Sequence, residues 1–307
     1  MITIENLTKS FDDIKAVSDV SCNIPDGCIY GMVGSNGAGK STFLRLLTGV
    51  YKQDSGDIKI DGKPVYENPE TKNMITYVPD EVFFLSGSDM KRMAEFYSSV
   101  YESFDMDRFN MLTEAFNLDP KRKITGFSKG MKRQVAVIMA LSSRPKYMFF
   151  DETFDGLDPV MRNLVKGLIC QDVLDNKATA IITSHSLREL EDLCDQLSLL
   201  HEGGLILESD IDRLKTTHFK VQIAFNEEYT VGKFKEIPYL YIKKQGSVTN
   251  MIVTGNSEED VVEKLRMMRP VLMDILPLSL EEVFTYEMQR IGYNFDMVLD
   301  REVSEYE

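Results

Sequence analysis

Hydrophobic residues fall along the chain in two patterns. Short apolar runs at 28–33 (CIYGMV), 74–78 (MITYV), 147–150 (YMFF) and 178–183 (ATAIIT) read as strands, and the unbroken YMFF is the form expected of a strand covered on both faces. Residues 57–60 (DIKI) add another strand. Elsewhere apolar positions recur with helical spacing, over 41–47, over 159–174 and through most of 89–142, where Asp119-Pro120 and Gly126 interrupt it. This alternation predicts an α/β fold around a mostly parallel sheet, and the 89–142 stretch reads as a helical subdomain.

After about Asp210 the rhythm changes. Residues 219–225 read as a strand, and 239–244 and 250–254 flank Gly246 as a hairpin. Residues 257–268 read as a helix opened by Ser257 with Asp260 three positions on. A strand at 271–276 and a last helix at 279–290, opened by Ser-x-x-Glu, complete a small C-terminal α+β domain. The expected organisation is therefore 1–210, then 211–290, then a poorly anchored acidic tail at 291–307.

Charge narrows the function. The 307 residues carry 35 Lys+Arg against 49 Asp+Glu, a formal net charge of −14, which argues against a general nucleic-acid binder. Residues 251–307 hold 5 basic and 13 acidic side chains and read as solvated surface. The basic cluster Lys121-Arg122-Lys123 with Lys132-Arg133 also reads as a solvated face, with contact to lipid headgroups as the alternative. No run approaches the ~18–20 apolar residues that span a bilayer. The opening MITIENLTKSFDD lacks the basic-then-apolar order of a signal peptide. The expectation is a cytoplasmic chain that meets a membrane only through a partner. Cys22, Cys28, Cys170 and Cys194 form no CxxC pair, and only His185, His201 and His218 are available to join them, so neither a zinc site nor a disulfide framework is expected.

The sharpest local signal is Gly34-Ser35-Asn36-Gly37-Ala38-Gly39-Lys40-Ser41-Thr42, which matches G-x-x-x-x-G-K-[ST] between a predicted strand and a predicted helix. Glycines let the backbone curl until several N–H groups point at phosphate oxygens, and the helix start adds its positive end. Lys40 would neutralise the β- and γ-phosphates, and the Ser41 hydroxyl would complete a Mg²⁺ shell. About 110 residues on, YMFF ends in Asp151-Glu152. A carboxylate at the tip of a central strand faces the crevice at the strands' carboxyl ends. Asp151 is placed to hold Mg²⁺ through water, and Glu152 to orient an attacking water in line with the γ-phosphate.

In this order the motifs resemble the ATP-binding subunits of ABC transporters over about residues 1–210. Phe11 stands where that family carries an aromatic residue that stacks on adenine. Phe127-Ser128-Lys129-Gly130-Met131 resembles its Leu-Ser-Gly-Gly-Gln signature, Asp155-Gly156-Leu157-Asp158 the loop joining the two nucleotide sites, and Ser184-His185 its switch histidine. The resemblance implies a P-loop NTPase cassette that binds ATP and Mg²⁺, with Glu152, His185, Asp80 and Lys40 in catalytic roles. It also implies a dimer, homomeric or heteromeric, in which Ser128 and Gly130 of one chain close on the γ-phosphate held by the other. A membrane permease would be the further partner.

Three departures stand out. Asp80 follows Tyr77-Val78-Pro79 where the family has glutamine, and an ionised aspartate accepts hydrogen bonds but donates none. Asp80 is still able to contact Mg²⁺ or its water, or else leaves water positioning to Glu152 and His185. Lys129 and Met131 replace a glycine and the glutamine of the signature, and Thr153-Phe154 precede Asp155 in place of a small, proline-containing stretch. In the family the region of Phe83-Phe84-Leu85 helps form a groove for a permease helix; the alternative is that these residues belong to the subdomain core. Residues 211–307, with Ser-Leu-Glu-Glu-Val-Phe at 279–284, resemble the tail domain of the antibiotic- and drug-export branch, which implies export. Two other readings stay open: a nucleotide-gated binding module with low turnover, motivated by Asp80, and a non-transport ABC ATPase, against which stand the single P-loop and the lack of sustained heptads.

Overall fold

Ile2 and Ile4 alternate with more accessible neighbours along β1 (Ile2–Phe11), and Val20, Cys22 and Ile24 do the same along β2 (Ile14–Ile24). The two strands pair antiparallel through a turn at Asp12-Asp13, and a register irregularity between Ile4 and Leu7 returns Leu7 to the buried face. With β4 (Ser55–Ile60) and β5 (Lys63–Pro64) they form a four-stranded sheet, order β2-β1-β4-β5. Apart from 57–60, this sheet was not expected from the sequence. The computed structural model describes residues 1–213, 218–254, 258–283 and 285.

The apolar runs form the second sheet. It comprises β3 (Ile29–Val33), β6 (Ile75–Val78), β7 (Tyr147–Asp151), β8 (Thr179–Ser184), β9 (Gln196–His201) and β10 (Gly204–Asp210), in the order β10-β9-β3-β8-β7-β6. The pairings β9/β3, β3/β8, β8/β7 and β7/β6 are all parallel. Between the two sheets lies α1 (Lys40–Leu47), whose Phe43, Leu44, Leu46 and Leu47 share one core with Ile2, Leu7, Val20, Tyr30, Phe149 and Ile181. Elsewhere α6 (Pro159–Asn176) and α7 (Leu187–Glu191) both contact β8. Pro159 and the Asp158 cap start α6, and α2 (Pro69–Lys72) is started likewise by Asn68 and Pro69.

The 89–142 stretch folds as α3 (Met90–Val100), α4 (Met106–Ala115) and α5 (Lys129–Ser142), which pack on one another. Asp89, Asp105 and Ser128 cap them. A buried ion pair, Arg108–Asp172 at 2.7 Å, ties α4 to α6. One expectation fails here. Lys121, Arg122 and Lys123 are exposed, but Arg133 is only 1% exposed. The reason is helical geometry: Val137 and Leu141 follow Arg133 at four-residue steps on the buried stripe of α5.

A second compact unit begins at Ser209. Strands β11 (His218–Ala224), β12 (Tyr239–Gln245), β13 (Val248–Thr254) and β14 (Leu272–Pro277) form an antiparallel sheet, order β12-β13-β11-β14. Gly246, at φ 61, supplies the positive φ that the two-residue β12–β13 turn requires. Phe219, Val221, Ile223, Met251 and Val253 pack with Phe234 and with Val261 and Leu265 of α8 (Glu258–Met267). The Ser-x-x-Glu start of the last helix is a reciprocal cap: Glu282 N donates to Ser279 Oγ at 3.2 Å, and Ser279 N donates to Glu282 Oε2 at 3.1 Å. The expected Ser257 cap, the end of the last helix beyond 285 and the 291–307 tail lie outside the described residues. Among the described residues no helix is long and apolar enough to cross a membrane, and no cluster of three or more His, Cys, Asp or Glu is arranged to hold a metal. All four cysteines are free.

Candidate active site

Parallel strands place their carboxyl ends along one edge, and loops leaving that edge meet in a crevice. Here β3 leads into the Gly34–Lys40 loop, β6 into Asp80, β7 into Glu152 and β8 into His185. They surround a cleft of about 470 Å³ lined by Asn36, Gly37, Ala38, Gly39, Lys40, Ser41, Thr42, Asp80 and Glu152, together with Ile14, Lys15, Ala16 and Glu202.

The loop needs its glycines. Gly37 and Gly39 take φ values of +83 and +104. A Cβ at Gly39 would lie 2.1 Å from the Ala16 carbonyl oxygen, and one at Gly34 would lie 2.4 Å from that of Leu200. The backbone therefore runs against β2 and β9 with no room for a side chain. Gly39 also occupies the N-cap of α1 without a side-chain cap, and the first turn holds no acidic residue. Those N–H groups remain available to an anion. Ser35 and Asn36 are exposed on the same loop.

Lys40 is buried and folds back over the loop, donating to Gly34 O at 2.7 Å and Ser35 O at 3.2 Å. Its Nζ also pairs with Glu152 Oε1 at 3.1 Å. The other oxygen, Oε2, accepts from His185 N at 3.2 Å and lies 2.9 Å from His185 Nδ1. Glu152 takes φ 47, a left-handed conformation that costs a non-glycine residue about 1 kcal/mol or more. Its N–H is held by Thr183 O and Thr183 Oγ1, both at 3.2 Å.

Asp151 is fully buried and answered on both oxygens. Oδ1 accepts from Ser41 Oγ at 3.0 Å and Thr183 Oγ1 at 2.8 Å, and Oδ2 from Tyr77 Oη at 3.2 Å. Burial first, and then the Asp151 charge, push the Tyr77 phenol well above its ordinary value, so it remains a donor. Ser41 and Asp151 thus bring hard oxygen ligands together at the phosphate loop, a donor set that fits Mg²⁺.

Four of the residues singled out in the sequence lie elsewhere. Phe11 is 40% exposed and stacks edge-on against Tyr51, with centroids 5.3 Å apart. Ser128 caps α5 by accepting from Met131 N at 3.2 Å. Gly130 abuts the 153–158 loop so closely that a Cβ would lie 2.8 Å from Gly156 O. Asp158 caps α6, accepting from Val160 N and Met161 N at 3.0 Å. None of these four lines the cleft among the described residues. Sequence reasoning missed Thr183, Arg133 and the support from Tyr77. The Arg133 guanidinium bonds the Asp80 carboxylate and the backbone beneath Glu152.

Comparison with known proteins gives a consistent picture. A family model described as "ABC transporter" matches residues 17–155. The chain is 32% identical over 285 residues to the ABC transporter ATP-binding protein YtrB of Bacillus subtilis (strain 168), covering 92% of this chain and 97% of that one. It is 31% identical over 231 residues to the lantibiotic transport ATP-binding protein SrtF of Streptococcus pyogenes, covering 74% and 99%. A solved structure of an ATP-binding subunit of an ABC transporter shares the fold at 24% identity and TM-score 0.66, covering 70% of this chain and 92% of that one.

Proposed function

The chain belongs to the ABC transporter family, as one of its ATP-binding, ATP-hydrolysing subunits, and from that premise we propose that it dimerises around MgATP and powers a separate membrane permease in export. The observation that carries the reading is Glu152, held between Lys40 at 3.1 Å and His185 at 2.9 Å at the mouth of the phosphate loop.

In this mechanism the loop amides of 34–39 receive the β- and γ-phosphates, and Lys40 turns from Glu152 to their oxygens. Glu152 then accepts the proton of a water aligned with the γ-phosphorus, while His185 fixes the orientation of its carboxylate. Ser41 and Asp151 would hold Mg²⁺, which would supply neutralisation of the phosphate charge. Phe11 would stack on the adenine. Ser128 and Gly130 lie outside the cleft of their own chain, so their role falls to the facing subunit. There the start of α5 meets the γ-phosphate, and Asp158 lines the joint between the two sites. Hydrolysis removes the bridging phosphate and frees the pair.

Residues 1–210 carry this chemistry, with the helical subdomain at about 89–142; 211–290 is an accessory domain and 291–307 an acidic tail. Phe83, 85% exposed beside that subdomain, suits a groove for a permease helix. The subunit then works in the cytoplasm, against the inner face of the cell membrane, and has no nucleic-acid partner. A relative named for a lipopolysaccharide export system, 29% identical over 238 residues, supports export. ATPase assays of wild type and Glu152→Gln test the chemistry: the substitution should lower kcat by about 10²–10⁴-fold. Equal rates would remove Glu152 from its role. Recovery of a membrane protein with the tagged chain from solubilised membranes tests the partner, and recovery of ribosomes or DNA in its place would overturn it.

A further inference from the structure

Arg133 is the largest side chain among the fully buried described residues. A guanidinium in that position must find partners, because a buried unpaired charge is strongly destabilising. Here Nη1 donates to Glu152 O at 3.0 Å and Asp151 O at 3.4 Å. Nη2 donates to Asp80 O and Asp80 Oδ1, both at 2.8 Å. The two carbonyls on Nη1 belong to the peptide units on either side of the Glu152 Cα, the residue held at φ 47. The ion pair with Asp80 joins a fully buried cation to a carboxylate that is 46% exposed and lines the phosphate cleft.

Each half of this arrangement answers a need. A bare carboxylate on the wall of a triphosphate cleft would repel its ligand, and Arg133 neutralises it in place. A glutamate in left-handed backbone tends to relax unless neighbouring peptide groups are pinned, and the same guanidinium pins both. We propose that Arg133 is a positioning residue for ATP hydrolysis, which compensates the Asp80 charge toward the nucleotide and locks the backbone turn that aims Glu152. This rests on the reading of Glu152 as base. It also explains how aspartate is accommodated at position 80: the carboxylate is one arm of a pair whose other arm is on α5.

The test separates binding from turnover. Arg133→Gln should weaken ATP binding by about tenfold, because Asp80 is left uncompensated, and should lower kcat as well. Adding Asp80→Asn should return Kd to within about twofold of wild type while kcat stays low, because the clamp on the Glu152 carbonyls is still impaired. Kd is read with a fluorescent ATP analogue, and folding is checked by thermal unfolding. A purely structural Arg133 gives no such rescue, so equal Kd values for Arg133→Gln and the double variant overturn the proposal. If Arg133→Gln does not fold, Arg133→Lys replaces it. That variant should keep Kd within about twofold, since the charge remains, and lose kcat, since one ammonium cannot bridge both sets of carbonyls; an unchanged kcat overturns the proposal. Wild type and Glu152→Gln run alongside, so an error in the assignment of the base shows separately.

Discussion

Replacing Thr183 by valine removes one hydroxyl from the interior and almost nothing else. Thr183 is fully buried, and its Oγ1 donates to Asp151 Oδ1 at 2.8 Å while accepting from Glu152 N at 3.2 Å. Valine keeps the shape. Glu152 N retains the Thr183 carbonyl at 3.2 Å, so the left-handed turn survives. Asp151 loses the shortest of its three donors and keeps Ser41 and Tyr77. A hydrogen bond to a buried carboxylate contributes about 1.5–3 kcal/mol. If that falls wholly on the orientation of Asp151, the Mg²⁺ concentration for half-maximal ATPase activity rises by about ten- to a hundredfold. The assay is a Mg²⁺ titration at fixed ATP, with Thr183→Ser as the control that keeps the hydroxyl. If Thr183→Val and Thr183→Ser, both folded, give the same half-saturation, Thr183 does not position Asp151 and the reasoning fails.

Two further expectations concern binding and acid stability. Phe11→Ala should weaken ATP binding by about 1–3 kcal/mol, as loss of a base-stacking platform does, yet leave binding of tripolyphosphate unchanged; parallel calorimetric titrations distinguish the two. Asp61 is held below its ordinary 3.8: burial opposes the shift, but bonds from Lys146, the Met1 ammonium and Tyr147 outweigh it. A depressed carboxylate stabilises the fold above its unfolded value and loses that contribution as pH falls toward the folded one. The urea midpoint of Asp61→Asn should therefore lie below that of wild type at pH 7, and the gap should close as pH drops under about 3.8. A gap independent of pH would contradict the linkage.

What was readable from sequence follows from where the physics is local. YMFF and ATAIIT stood out because runs from strands buried on both faces carry no charged residue to blur them. The glycine loop was readable because phosphate cradling demands particular residues at fixed spacing. β1 and β2 went unread because register irregularities break their alternation and their paired ends, Lys9-Ser10-Phe11 and Ile14-Lys15, lie mostly in contact with solvent. Thr183 gave no signal inside an apolar run; only the parallel register, which sets it beside Asp151, reveals its task. Arg133 was misread because charged residues near other charged residues are usually surface, and its exception depends on a carboxylate 53 positions earlier.

The contact between Lys40 and Glu152 has a consequence for how a nucleotide would be received. On the proposed reading one ammonium has two anionic claimants, Glu152 and the triphosphate. A triphosphate in the loop would compete with Glu152 for it. Filling the loop would then free the carboxylate at the same moment, so that loading and arming would be one event.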